Sequence, residues 1–265
     1  MKKLILTILL FNYLLLSTDC FSKTETVKTP GGEVFNFSLP AVQQNTDLIT
    51  QIFTLIYNTR FNEAEKLLGE ADFHGEPFYS QVLKLDLFWW KYSISKSESD
   101  EEKLNNTLNW FSEQNKNSKY SEINRLIWLS YKLRFELKRK NYLRAFLLKG
   151  EVEDQLKVAQ KNQVRFPENQ KKLLSVFVLL LQYSHEAGSV FGKNSDKLAY
   201  LKELQNFASD SDWIVSTEAL YFLGRIYTKM EDEPQKGRIH FQILSRRFPQ
   251  NQLFANLATG EVTDF

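Results

Sequence analysis

The sequence predicts an all-α protein of about five antiparallel helix pairs, and three observations support this prediction. Apolar residues recur every three or four positions through most of the chain after residue 45, which is the spacing of an amphipathic helix. Two predicted helices between residues 213 and 249 carry the pattern of a closely packed pair. A five-residue segment also recurs after 82 residues, about twice the length of one long helix pair.

The first helix of the closely packed pair has a complete apolar stripe. Leu220, Leu223 and Tyr227 lie at i, i+3 and i+7, on one face of a helix. Gly224 lies on the same side, and its missing side chain lets a second helix approach closely, at a propensity cost of about 1 kcal/mol relative to alanine. Asp212 is predicted to cap the start of this helix.

The second helix of the pair is predicted to begin near Pro234, because a proline loses no hydrogen bond in the first turn of a helix. Gly237 and Phe241 are four residues apart on it, and Pro249 ends it. Together the two helices resemble a tetratricopeptide repeat (TPR), a helix–turn–helix unit with Leu-Gly, Tyr, Ala, Phe and Pro at fixed offsets. One residue is inserted in the turn, and Gly237 stands where the family prefers alanine.

The resemblance implies a TPR-like α-solenoid, which is a right-handed superhelix of antiparallel helix pairs. In such repeats the first helix of each pair lines a concave groove, where polar residues meet a protein or peptide partner. The implied function is a non-catalytic protein–protein interaction scaffold. On the helix that follows Asp212, the residues implied to face the groove are spaced three, four and four positions apart: Glu218, Tyr221, Arg225 and Lys229.

The recurring segment supports a repeat architecture. Residues 166–170 (Phe-Pro-Glu-Asn-Gln) recur at 248–252 as Phe-Pro-Gln-Asn-Gln, each preceded by an arginine. Half of the interval is about 41 residues, the length of one long helix pair, so the two copies are predicted to mark the ends of the third and fifth pairs.

The remaining helices are assigned from apolar periodicity and from signals at their ends. Glu76-Pro77 opens the third helix, and the acidic stretch 98–103 is typical of the start of the fourth. The seventh helix is apolar nearly all round from residue 173 to 183, which favours a place between neighbouring helices. The seventh helix spans about 168–186, and the others are about 46–58, 61–72, 120–139, 141–163, one that ends near 208, and a short closing helix with Leu253, Phe254 and Leu257.

Trp89 and Trp90 are adjacent and therefore face two directions on the third helix. We expect one ring within its own pair and the other in the contact with the next pair. The alternative is an exposed aromatic surface, which would make the chain a glycan or small-molecule binding protein. The two alternatives differ in the exposure of the rings, because a stacking site needs at least one of them in an open cleft.

The N-terminal residues are predicted to be a secretory signal peptide. Two lysines precede an uncharged apolar run from Leu4 to Leu16, which is shorter than the roughly 20 residues of a membrane-spanning helix. Cleavage is expected between Ser17 and Lys23. A lipoprotein signal is the alternative, because Cys20 follows the run, but Asp19 stands where such a site requires Gly, Ala or Ser.

The chain is therefore divided into a signal peptide (1–22), an extended arm (23–43) and a helical repeat domain (44–265). In the arm, Phe35, Phe37 and Leu39 alternate with polar residues, a period of two that is typical of extended chain. The arm either packs along the first helix pair or docks on a partner. The layout resembles exported repeat proteins of Gram-negative envelopes, which implies a periplasmic, envelope-associated or secreted protein, with peripheral association with the envelope.

Composition argues against several classes of function. The 34 basic and 32 acidic residues give a net charge of +2 with no basic stripe, so nucleic-acid binding is not expected. Cys20 is the single cysteine, so the helical domain has no thiol for a disulfide, a nucleophile or a zinc site. The three histidines form no i, i+4 pair. We expect no catalytic residues, cofactor or metal.

Overall fold

The computed structural model describes residues 44–71, 77–115, 121–188 and 194–261, which form eleven α-helices and no β-strand. The predicted signal peptide, the arm and Cys20 lie outside the described residues. The all-α prediction is confirmed for the described part. The helices are α1 (Gln44–Tyr57), α2 (Phe61–Glu70), α3 (Pro77–Ser95), α4 (Glu98–Gln114), α5 (Ser121–Lys138), α6 (Tyr142–Asn162), α7 (Glu168–Gly188), α8 (Asn194–Ala208), α9 (Trp213–Lys229), α10 (Pro234–Arg247) and α11 (Gln252–Thr259).

The first ten helices form five pairs, α1/α2, α3/α4, α5/α6, α7/α8 and α9/α10, and the two helices of each pair contact each other. The turns within the pairs are short, for example two residues between α3 and α4, and short turns place successive helices antiparallel. α11 then packs on α10. The predicted helix pairs and the closing helix are thus present.

Local signals explain where several helices begin. The Asp212 carboxylate accepts hydrogen bonds from two backbone N–H groups in the first turn of α9, as predicted. Ser97 caps α4 by accepting a hydrogen bond from the Asp100 N–H. The predicted acidic stretch fills the first turn of α4, and Pro234 is the first residue of α10.

The close approach of α9 and α10 depends on two glycines. A Cβ atom on Gly224 would lie 2.7 Å from the Phe241 ring, which is fully buried. A Cβ atom on Gly237 would lie 2.8 Å from the Gly224 carbonyl oxygen and still closer to the Thr228 hydroxyl. The prediction that Gly224 admits a second helix is confirmed.

The two copies of the recurring segment occupy equivalent places. Phe166 follows α6 and its 3-10 turn, Phe248 follows α10, and both rings are buried. These positions are the ends of the third and fifth pairs, as predicted. The asparagine of each copy also bonds to an earlier helix: Asn169 donates to the Tyr79 hydroxyl, and Asn251 donates to the Tyr57 carbonyl oxygen at 2.7 Å.

Contacts between pairs bring the two ends of the described chain together. The first pair contacts the second, the second contacts the third, and the fourth contacts the fifth. In addition, α1 contacts α9, so the first pair meets the fifth. Asn58 accepts a hydrogen bond from the Gln250 N–H at 3.1 Å, and the Tyr57 ring lies 5.3 Å from the Phe248 ring and 6.3 Å from the Phe254 ring, centroid to centroid.

Both adjacent tryptophans are buried, with 8% of Trp89 and 5% of Trp90 exposed. The Trp90 ring contacts α1, α9 and α11 through Tyr57, Tyr221 and Phe254, whereas the Trp89 ring faces Tyr131 on α5. As expected, the two rings pack in two directions and Trp89 meets the next pair, but the Trp90 ring contacts the first and fifth pairs and α11 instead of the partner helix of its own pair, because the first and fifth pairs come together beside α3. A stacking site built on an open Trp89 or Trp90 ring is excluded.

Candidate functional site

The four residues implied to face a partner all lie on α9, and they differ in accessibility. Glu218 is 8% exposed and Arg225 is 1% exposed, so both lie inside the protein. Tyr221 and Lys229 are partly exposed. Partner binding by this helix stays a prediction, but in the described arrangement a partner can reach at most the last two.

Glu218 belongs to an interior network of ionisable groups from four helices. The Tyr57 hydroxyl of α1 donates to Glu218 Oε1 at 2.5 Å, and the Tyr131 hydroxyl of α5 donates to Asp86 Oδ1 on α3. Arg134 lies over the Tyr131 ring, with its guanidinium carbon 5.2 Å from the ring centroid. We refer to these five residues as the interior network.

Burial dominates the electrostatics of the interior network. Loss of water and, to a smaller extent, the nearby Glu218 charge raise the pKa of Asp86 to about 8, although the Tyr131 hydroxyl and Arg134 oppose the shift. Burial also raises the pKa of Glu218 against the opposing effect of Arg134. The Glu218 charge therefore disfavours ionisation of Asp86, which is mostly protonated at neutral pH.

Paired carboxyl groups are the residues of general acid–base chemistry, but this pair has no room for a substrate. The cavity beside Asp86 and Glu218 leaves about 10 Å³ for the centre of a water molecule, which is the space of about one water. Apolar side chains of α3, α5, α7 and α9 close it: Val82, Ile127, Leu173, Phe177 and Ile214. The interior network therefore links four helices.

A larger opening lies where the third pair meets the fourth. The described residues of these two pairs make sparse contact, because α6 packs mainly on α5, whereas α7 packs on α8 and α9. The space left between α6, α7 and α8 is a groove of about 510 Å³, within the range of ligand sites in proteins. We call it the seam groove. Its lining residues are Lys149, Glu153, Leu156, Lys157, Gln160, Leu181, Gln182, Ser184, Glu186 and Tyr200.

The side chains of the seam groove offer three kinds of contact. Leu156, Leu181 and Tyr200 provide apolar surface. Amide and hydroxyl groups of α6 and α7 can donate to or accept from a peptide backbone. Charges of both signs are present, and Lys149 Nζ lies 3.4 Å from Glu153 Oε1. This mixture suits a polypeptide segment that carries apolar and charged side chains.

The sequence alone predicted neither the interior network nor the seam groove. The interior network joins residues 57, 86, 131, 134 and 218, which no spacing along the chain connects. The seam groove lies between helices that follow each other, but its residues form no motif. Its one signal in the sequence is the mixed polar and charged second half of α6.

The fold and the site define an all-α protein of paired helices with an open groove at one seam. Among the described residues, no group of three or more His, Cys, Asp or Glu side chains is placed to hold a metal ion. Within the same residues, every helix is too short or too polar to span a lipid bilayer. No protein-family model matches the chain, and neither the curated proteins nor the solved structures give a significant match.

Proposed function

We propose that the chain is a non-catalytic scaffold of the bacterial cell envelope that holds a segment of a partner protein in the seam groove. The observation that carries the proposal is the open groove of about 510 Å³ between the third and fourth pairs, in a protein whose other successive pairs pack together. The mixed apolar, amide and charged lining favours a peptide segment over a purely apolar ligand.

The helix pairs are proposed to be TPR-like units. Support comes from the glycines at the α9–α10 contact and from the equivalent places of the two Phe-Pro segments. The proposed superhelix is right-handed and tightly wound, since five pairs bring α1 into contact with α9. In this proposal the concave side is filled by side chains such as Tyr57, Trp90 and Glu218, so the partner site moves to the seam between two pairs.

Export to the periplasm or to another part of the envelope is proposed from the N-terminal sequence. The two lysines, the apolar run from Leu4 to Leu16 and the polar residues that follow support a signal peptide. The alternative function, a glycan or small-molecule binder, has less support. Its tryptophan rings are buried, and Tyr200 is the aromatic side chain among the residues that line the seam groove.

The proposal is tested by site-specific photo-crosslinking in an envelope extract from a Gram-negative bacterium. A photoreactive residue replaces Gln182, which is exposed in the seam groove, or Glu151, which is exposed on the opposite side of α6. We expect a discrete adduct from position 182 that is absent from position 151. The adduct should also be lost when Lys149→Glu and Lys157→Glu reverse the charge at the two lysine positions in the groove.

Two outcomes would contradict the proposal. Identical adducts from positions 182 and 151 would mean that the groove has no selective partner. The absence of any adduct from position 182, with the chain folded and helical, would mean that the scaffold function is wrong. Mass spectrometry of the adduct identifies the partner and the segment that enters the groove.

A further inference from the structure

The first two turns of α6 expose an unusual amount of apolar surface. Tyr142 is 50% exposed, Leu143 76%, Phe146 39% and Leu147 61%. At about 100° per residue these four positions cover an arc of about 140° on one side of the helix. The opposite side is buried, mainly against α5, through Ala145, Leu148, Val152, Leu156 and Ala159. The exposed side is therefore an unpartnered apolar face in the described part of the chain.

Cations surround this face. Arg139 and Lys140 form the turn between α5 and α6, both are exposed, and Arg144 in the first turn of α6 is 60% exposed. No acidic residue occurs between positions 139 and 150 of the sequence. Two carboxylates reach the cations from neighbouring positions: Glu101 lies 3.0 Å from Arg139 Nε, and the buried Glu136 lies 3.5 Å from Arg144 Nε. Three cations against two carboxylates leave the turn between α5 and α6, and the first turn of α6, with a net positive charge.

This combination matches the interface of an anionic lipid bilayer. Leucine and phenylalanine side chains partition into the acyl boundary, a tyrosine ring lies at the level of the headgroups, and arginine and lysine pair with lipid phosphates. The face is convex, since it lies on the outside of a helix and next to a tight turn. A convex apolar surface with a cationic rim fits a fluid bilayer better than it fits a folded protein, which would need a complementary cleft.

We propose that the α5–α6 corner, residues 139–147, docks this protein on the surface of an anionic phospholipid bilayer. The proposal is independent of the seam groove and goes beyond the scaffold function. Docking involves the first two turns of α6 alone, because Glu151, Glu153 and Asp154 follow on the next turns and would be repelled by anionic lipid. The helix therefore meets the bilayer at its N-terminal end, and the seam groove stays in water.

The test measures the polarity around one labelled position in the full chain. Vesicle binding through the apolar N-terminal run is then not mistaken for docking by the α5–α6 corner. Cys20→Ser removes the single cysteine, and Leu143→Cys then accepts a polarity-sensitive fluorophore. The control label is at Leu198→Cys on α8, a leucine that is 65% exposed. With phosphatidylglycerol vesicles we expect a blue shift at position 143 and little change at position 198. Phosphatidylcholine vesicles should give little blue shift at either position.

Charge is tested by Arg139→Gln with Lys140→Asn. Asparagine suits position 140 because Lys140 has a φ of 59°. Removing two cations at the surface should weaken vesicle binding roughly thirtyfold. A matched pair on other helices, Lys66→Gln with Lys103→Gln, removes the same charge and should change binding less than threefold, an amount on the order of a general field effect.

Three results would overturn the proposal. Equal shifts at positions 143 and 198 would assign vesicle binding to the N-terminal run or to general adsorption. The absence of a shift at position 143 would show that the corner does not meet lipid, and its apolar face would then belong to a protein contact. If the two double variants weakened vesicle binding equally, Arg139 and Lys140 would have no specific role in docking.

Discussion

Asp86 shows how one buried residue can couple the fold to pH. Burial and the Glu218 charge raise its pKa to about 8, whereas an aspartate in an unfolded chain has a pKa near 4. Between these values the folded protein holds a proton that the unfolded chain has released. The stability that this proton contributes is fully present below about pH 4 and is lost as the pH rises through about 8.

Asp86→Asn should remove this dependence. The asparagine keeps a carbonyl oxygen for the Tyr131 hydroxyl and cannot ionise. We expect the stability advantage of the variant over the wild type to grow between pH 5 and pH 9, by up to about 4 kcal/mol. Urea unfolding at pH 5, 7 and 9 measures the difference. Asp154→Asn is the control because that side chain is 80% exposed, and an equal effect of the two changes would contradict the role of Asp86.

At the scale of helices, the α9–α10 pair shows how glycine sets the distance between two elements. Gly224 and Gly237 face each other across the contact, where any side chain would overlap the partner helix. The sequence predicted the close approach from Gly224 alone, since the position of a glycine on an apolar stripe is a local feature. It did not predict that Gly237 lies against the Gly224 carbonyl oxygen, because that contact depends on the register of the two helices.

Gly237→Ala should destabilise the protein although alanine is the better helix former. The new methyl group would lie 2.8 Å from a backbone oxygen that cannot move freely, so we expect a loss of about 2 kcal/mol. Gly150→Ala on α6 is the matched control, since a Cβ there meets nothing within 4 Å and should stabilise by up to about 1 kcal/mol. Thermal unfolding of the two variants measures these changes in stability. A loss of stability in both would point to helix bending instead of steric overlap.

The α6 helix shows that one element can contribute to two surfaces. Its buried stripe packs mainly on α5, its second half lines the seam groove, and its first half carries the exposed apolar face. Apolar periodicity predicted the helix itself. It did not identify the exposed face, because Leu143 and Leu147 look like core residues until the neighbouring helices are placed.

At the scale of the whole molecule, the contact between the first and fifth pairs distinguishes this fold from an open stack of helix pairs. The turn after α1 lies beside the turn after α10, where the Thr59 hydroxyl is 3.5 Å from the Gln250 carbonyl oxygen. Trp90, Tyr57 and Phe254 fill the space behind this contact. An open stack of five pairs would keep these turns apart.

A disulfide between Thr59→Cys and Gln250→Cys, in a Cys20→Ser background, should therefore form on oxidation. It would close a loop of about 190 residues and stabilise the protein by up to about 5 kcal/mol. Mobility on a non-reducing gel and the shift of the unfolding midpoint measure the result. The control variant, Thr59→Cys with Asp154→Cys, places the second cysteine on α6, outside the contact between the first and fifth pairs, and should stay reduced. Failure of the Thr59→Cys, Gln250→Cys variant to crosslink would show that the first and fifth helix pairs do not meet.

The sequence by itself determined the helices, their order and their pairing. Helix formation follows from the spacing of apolar residues, and the ends follow from local groups such as Asp212, Ser97 and Pro234. Short turns then make successive helices antiparallel neighbours. These features depend on residues that are close along the chain, so they can be predicted without knowing the rest of the fold.

Only the tertiary structure decided which helix faces meet across long separations in the chain. Glu218 lies on a polar stripe of α9, and the sequence assigned it to a partner groove, yet the structure places Tyr57 of α1 against it. The seam groove and the exposed face of α6 arise in the same way, from contacts that other helices make or leave unmade. A helix pattern specifies that a face is apolar or polar, whereas the path of the whole chain decides what that face contacts.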